Sequence, residues 1–194
     1  MPALRPESRE PFVPVYAWAP WQSGRYYCVP NSGSVTTTAS LSTAVVRATP
    51  FVVPNDVTLV RIGGEVTGAG DAGSVLRLGI YGDDGTGRPG PLIIDAGTIA
   101  GDSATVQEIT ISAALKAGVY YSAAAQQVVT VTPPTVRAIT LLGAMGLDAG
   151  VSLPGAGSAP LGYTMTSISG AFPASFTVAG LSGVNHLRIF VKVG

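Results

Sequence analysis

The run Val75-Leu-Arg-Leu-Gly-Ile-Tyr81 decides the fold. Leu76, Leu78 and Ile80 alternate with Arg77 and Tyr81. A period of two is the signature of a strand with one apolar face. The next residues, Asp83-Asp84-Gly85-Thr86-Gly87-Arg88-Pro89-Gly90-Pro91, form a dense turn cluster. Leu92 to Ile99 then reads as the returning strand. Working outward, Val57 to Ile62 reads as a strand opened by the turn at Pro54-Asn55-Asp56. Thr105–Ile111, Val119–Ala125, Val128–Val131 and Val136–Leu142 follow at spacings of roughly 8–12 residues. Leu187 to Val193 closes the chain, with Leu187, Ile189, Val191 and Val193 facing inward. Ala113 to Lys116 is the one stretch suited to a helical turn, and Gly118 stops it. Short strands at this spacing predict an all-β, antiparallel β-sandwich of jelly-roll type. A βαβ rhythm is missing.

The 194 residues suit one domain, or one domain plus an arm. Gly and Pro supply 25 and 15 residues, and charged residues only 11%. The net charge is zero, and Lys116 and Lys192 are the only lysines. Nucleic acid and anionic membranes demand clustered positive charge, so neither is an expected partner. One cysteine, Cys28, and one histidine, His186, exclude an internal disulfide and a Cys- or multi-His metal site. Cys28 reads as a small packed hydrophobe. The opening Met1-Pro-Ala-Leu-Arg-Pro6 is too polar for a signal peptide, and no window holds 18 consecutive apolar residues. Synthesis in a cytoplasm is expected.

Composition divides the chain at about residue 43. Six of the fifteen prolines lie in residues 1–30, with both tryptophans, Trp18 and Trp21, and with Tyr16, Tyr26 and Tyr27. Frequent proline forbids a helix and favours an extended path. Residues 31–43 are a Ser/Thr-rich connector. Residues 1–43 are therefore read as an extended arm and connector, and 44–194 as the sandwich. Two readings of the arm stand side by side. It packs loosely on its own domain, or Tyr16, Trp18 and Trp21 anchor it on a neighbouring subunit. Residues 149–187 contain no Asp, Glu, Lys or Arg. A stretch that long is expected to be partly buried, against its own sandwich or a symmetry mate.

Chemistry-bearing patterns are sparse. Asp83 and Asp84 on a glycine turn have calcium-loop character, but lack the spacing and terminal Glu of an EF-hand. Asp-Gly is also the commonest hairpin turn, and that reading is preferred. Gly68-Ala-Gly-Asp-Ala-Gly73 leads into a strand, so it lacks the helix a phosphate loop needs. His186 is the one available base for a triad, yet no Gly-x-Ser-x-Gly elbow presents a nucleophile. A hydrogen-bonded edge histidine is expected there. Asp95 and Glu108 lie in strands and read as surface positions rather than as a catalytic pair.

The run from Val75 to Thr98 resembles a β-sandwich domain of bacteriophage tail-fibre and minor tail proteins. So do Glu108-Ile-Thr-Ile-Ser112 with Leu115-Lys-Ala-Gly-Val-Tyr-Tyr121, and Ser169-Gly-Ala-Phe-Pro-Ala-Ser-Phe176. The likeness spans about residues 45–194. It implies a structural virion protein, either minor tail, tail-fibre-like or capsid-decorating. It implies a homo-oligomer, most often a trimer, contacting other virion proteins, with no enzymatic activity and no cofactor. A host-receptor or carbohydrate-binding module is the alternative, with a host cell-surface glycan as partner.

Overall fold

The computed structural model describes residues 19–29, 36–129, 131–139, 161–166, 168–183 and 185–194. Among these there is no helix, and the strands form two antiparallel sheets packed face to face. This is the β-sandwich that alternation predicts.

The first sheet contains β1 (Tyr26–Val29), β2 (Thr36–Ser40), β4 (Val57–Gly68), β7 (Val106–Leu115), β9 (Thr135–Ile139), β12 (His186–Leu187) and β13 (Ile189–Val193). Its order is β1-β13-β4-β9-β12, with β7 added on β4 and β2 on β9. The second sheet contains β3 (Val46–Val53), β5 (Val75–Asp83), β6 (Pro89–Ala100), β8 (Gly118–Gln127), β10 (Gly162–Met165) and β11 (Gly180–Ser182). Its order is β11-β10-β3-β8-β5-β6.

Alternation along each strand fills the interior. Leu76, Leu78 and Ile80 of β5 are fully buried, with Phe51, Leu59, Ile62, Val136 and Ile189 in the same cluster. Each such side chain contributes about 1.5–3 kcal/mol on leaving water. Leu187, Ile189, Val191 and Val193 all face in, at 4% exposure or less. Tyr81, on the opposite face of β5, joins a second cluster on the outer side of the second sheet. There Tyr121, Tyr163, Met165, Phe172 and Phe176 pack together. Gly79 provides the seat for Phe172: a Cβ there would lie 2.8 Å from its ring. The described part of the charge-free segment 149–187 is thus partly buried against its own sandwich, through Leu161, Tyr163, Met165, Phe172 and Phe176. Residues 149–160 lie outside the described residues.

Several local expectations are corrected. Residues 26–29 and 36–40, assigned by composition to the arm and connector, are strands of the first sheet. β1 pairs with β13 and β2 with β9, partners more than 90 residues away in sequence. Ala113–Lys116 makes no helical turn, because Ala113 to Leu115 pair with Val57 to Leu59. Sheet pairing overrides alanine's helical preference. Val128, just past β8, has φ 53°, and Asp71 accepts the backbone N–H groups of Val131 and Thr132, so the described residues of the expected strand 128–131 (128, 129 and 131) are not in a strand. Ser175 makes an isolated bridge with Pro91.

Candidate functional site

Of the expected anchor residues, Tyr16 and Trp18 lie outside the described residues. Trp21 is 6% exposed. Its ring stacks on Tyr27 at 4.5 Å and lies parallel to Phe51 at 6.4 Å. Its backbone N–H donates to Asn55 Oδ1 at 2.7 Å. Trp21 therefore packs into the core of its own sandwich.

Asp83 and Asp84 are engaged in their own loop. Asp83 Oδ1 accepts the Gly85 N–H at 2.6 Å, and its Oδ2 accepts the Tyr121 hydroxyl at 3.2 Å. Asp84 Oδ1 accepts the N–H and hydroxyl of Thr86 at 2.8 and 2.7 Å. Those bonds hold the Asp84 carboxyl below the usual carboxylate range. Among the described residues, no group of three or more His, Cys, Asp or Glu is placed to share a metal ion. No helix there is long and apolar enough to cross a membrane.

His186 lies on β12, the last strand in the order of the first sheet, as expected, and its side chain is buried there at 1% exposure. Its Nδ1 lies 2.5 Å from Thr49 Oγ1, and no carboxylate bonds to it. Burial first, then the nearby Arg47 charge, lower its pKa to about 3. Among the described residues, no Ser-His-Asp relay is assembled around it. Asp95 is largely buried, accepting Arg77 Nη1 at 2.7 Å and the Phe172 N–H at 2.9 Å. A shallow hollow of about 330 Å³ between Asp56, Thr58, Ala114 and Lys116 holds a single acid. That acid, Asp56, is tied to Lys116 Nζ at 2.7 Å. Each of the eight described acidic side chains accepts a hydrogen bond within the fold.

The outer face of the first sheet is the richest concentration of exposed polar and aromatic groups. Alternation that buries Ile189, Val191 and Val193 turns Arg188, Phe190 and Lys192 outward. Cross-strand register then builds two rows. One runs Tyr26, Lys192, Arg61, Thr110 across β1, β13, β4 and β7; the next runs Cys28, Phe190, Gly63, Glu108. Gly63 is required by close approach, since a Cβ there would fall 2.3 Å from the Gln107 carbonyl oxygen. Its lack of a side chain leaves a low point between Phe190 and Glu108.

The charges on this face are cross-linked. Tyr26 donates its hydroxyl to Glu108 Oε2 at 2.6 Å, and Arg61 Nε donates to Oε1 at 3.1 Å. The Tyr26 bond, then Arg61, hold the Glu108 carboxyl below its usual range. Glu65 receives Arg137 at 3.0 Å and Arg188 at 3.4 Å. Lys192 Nζ stands 5.1 Å from the Tyr26 ring centre, and the Arg188 guanidinium 5.0 Å from that of Phe190. Tyr26 remains 51% exposed. Cys28 is half-buried in the second row, and burial pushes its thiol up. An array of this kind binds by shape, stacking and charge-assisted hydrogen bonds. Composition placed Tyr26 in the arm, and its position on this face follows only from β1 pairing. Arg188, Phe190 and Lys192 were readable as the complement of the inward set.

No family model matches the chain, and no curated protein matches it.

Proposed function

We propose that this protein is a structural component of a bacteriophage virion: a minor tail, tail-fibre-like or capsid-decorating part. It works by contact, through the outer face of the first sheet, with the N-terminal residues as tether. The observation that carries the reading is the outward lattice of Tyr26, Arg61, Glu108, Phe190 and Lys192 on four hydrogen-bonded strands, with Arg188 just before β13. A rigid sheet holds those groups in fixed relation without cost on binding. The virion assignment itself rests on the sequence resemblance over residues 45–194. Other virion proteins and further copies of the chain are the partners it names.

The test is particle fractionation. Peptide mass spectrometry of density-banded particles should find the chain at a fixed ratio to the major structural proteins. A variant lacking residues 1–18 should fold and be absent from the band. Recovery of the full chain only in the soluble fraction overturns the proposal.

A second reading, a receptor- or glycan-binding module, is favoured by the exposed Tyr26 ring beside the Glu108 carboxylate and the Lys192 ammonium. Under it, Tyr26→Ala abolishes adsorption to host cells while leaving particle incorporation intact.

A further inference from the structure

The inner face of the second sheet is apolar at one end and polar at the other. Phe51, Val53 and Ala124 share their faces with Arg47 and Thr49 on β3 and with Ser122 and Gln126 on β8. The four polar residues are 7%, 2%, 2% and 0% exposed. His186, from the facing sheet, hydrogen-bonds Thr49 at this polar end.

Arg47 is a buried cation whose described partners are all neutral. Its Nη1 donates to the Asn185 carbonyl at 2.5 Å and its Nη2 to Ser42 Oγ at 2.9 Å. No described carboxylate forms an ion pair with it. A guanidinium removed from water without a counter-charge is costly, so a negative charge beside it would be favoured. Desolvation duly pulls the Arg47 pKa down.

A second observation falls at the same place. Gln126 is fully buried, and neither its Nε2 nor its Oε1 has a partner. Buried side-chain amides are nearly always satisfied. Register puts Gln126 on the same face, two residues along β8 from Ala124, which is paired with Arg47. Backbone strain brackets it. Ala44, whose N–H bonds the Gln126 carbonyl, has φ 58°, and Val128, two residues on, has φ 53°. These are the only non-glycine residues with positive φ among those described. A β-branched residue in that region is a true outlier, and such strain gathers at ligand clamps. Arg47 keeps more exposure than Thr49, Ser122, Gln126 or His186, so it stands nearest to solvent.

We propose that this chamber binds a halide-sized monovalent anion, with the Arg47 guanidinium as its counter-charge and Gln126 Nε2 as a second donor. The anion supplies the missing charge and satisfies the orphaned amide proton. The site is independent of the outer face and serves to lock the polar end of the sandwich.

The test uses the full chain, with sodium chloride exchanged for sodium gluconate at constant ionic strength and pH 7.5. Gluconate is a bulky anion that replaces the halide without altering ionic strength. Each tenfold rise in chloride above its dissociation constant should raise Tm by about 3–6 °C. Arg47→Met should abolish that dependence. Gln126→Leu, which keeps the arginine, should weaken it and serves if Arg47→Met does not fold. Crystals grown in sodium bromide should show an anomalous peak within hydrogen-bond reach of the Arg47 guanidinium. A wild-type Tm indifferent to the exchange overturns the proposal. So does chloride dependence that survives undiminished in Gln126→Leu, or a chamber without a bromide peak.

Discussion

Acid should loosen this protein through a single histidine. His186 titrates near pH 6.5 in an unfolded chain, but burial and Arg47 lower its folded pKa to about 3. Between those values the unfolded state binds the extra proton, so stability rises with pH across that window and is lost as pH falls through it. Among the described residues, Arg47 on β3 is the one charged group acting on the ring, with the Thr49 hydroxyl bonded to Nδ1, and no described acid bonds the ring to compensate an imidazolium. From pH 7.5 to pH 4.5 the lost stability amounts to about 3 kcal/mol, since each unit is worth about 1.4 kcal/mol once the unfolded histidine is protonated. That is a large part of a typical 5–15 kcal/mol total. The carboxyls of Asp56, Glu65, Asp84 and Glu108 are held below their usual range by hydrogen-bonded partners, so their stabilising effects fade mainly at lower pH. The assay is urea unfolding of wild type and His186→Gln in sodium gluconate, free of halide, at pH 7.5, 6.5, 5.5 and 4.5. Gln still accepts from Thr49 and does not titrate. The wild-type curve should fall by about 3 kcal/mol more than that of the variant. Parallel curves would refute the reasoning, because they would mean that His186 is hydrated or paired with an acid.

Other consequences follow from the same packing. Leu78→Asp buries an unpaired charge in the inter-sheet core and should leave the chain unfolded by circular dichroism at 25 °C. Trp21→Ala should cost about 3–5 kcal/mol in chemical denaturation and remove the near-ultraviolet signal of the Tyr27 stack. A loss under 1 kcal/mol would return Trp21 to the arm. Asp95→Ala strands Arg77 and frees the Phe172 N–H, so a loss of about 2 kcal/mol and faster proteolysis near residue 172 are expected. Unchanged proteolysis would show that Asp95 does not hold down the 168–178 cover.

Legibility in the sequence tracked how local each cause was. β5 and β13 were readable because one residue in two is apolar, and their outward residues came with the inward ones. The Asp83–Arg88 turn was readable because aspartate and glycine solve a tight turn by themselves. β1 and β2 were hidden because Tyr26 meets Lys192 and Thr36 meets Ile139, pairings that no window of composition contains. The 113–116 error has the same origin: local preference pointed one way, and the Val57–Leu59 partner strand pulled the other. Neutral net charge concealed that Arg61, Arg137, Arg188 and Lys192 gather with Glu65 and Glu108 on one face. The polar chamber was invisible because Arg47, Gln126 and His186 are spread over 140 residues of chain.

Hydroxyl-radical footprinting of the chain, free and in its particle, bears most directly on the contact role. Side-chain oxidation at Tyr26 and Phe190 should drop at least several-fold on assembly. Equal oxidation of both in the two states, with protection appearing instead at the far-end Val131, would contradict it.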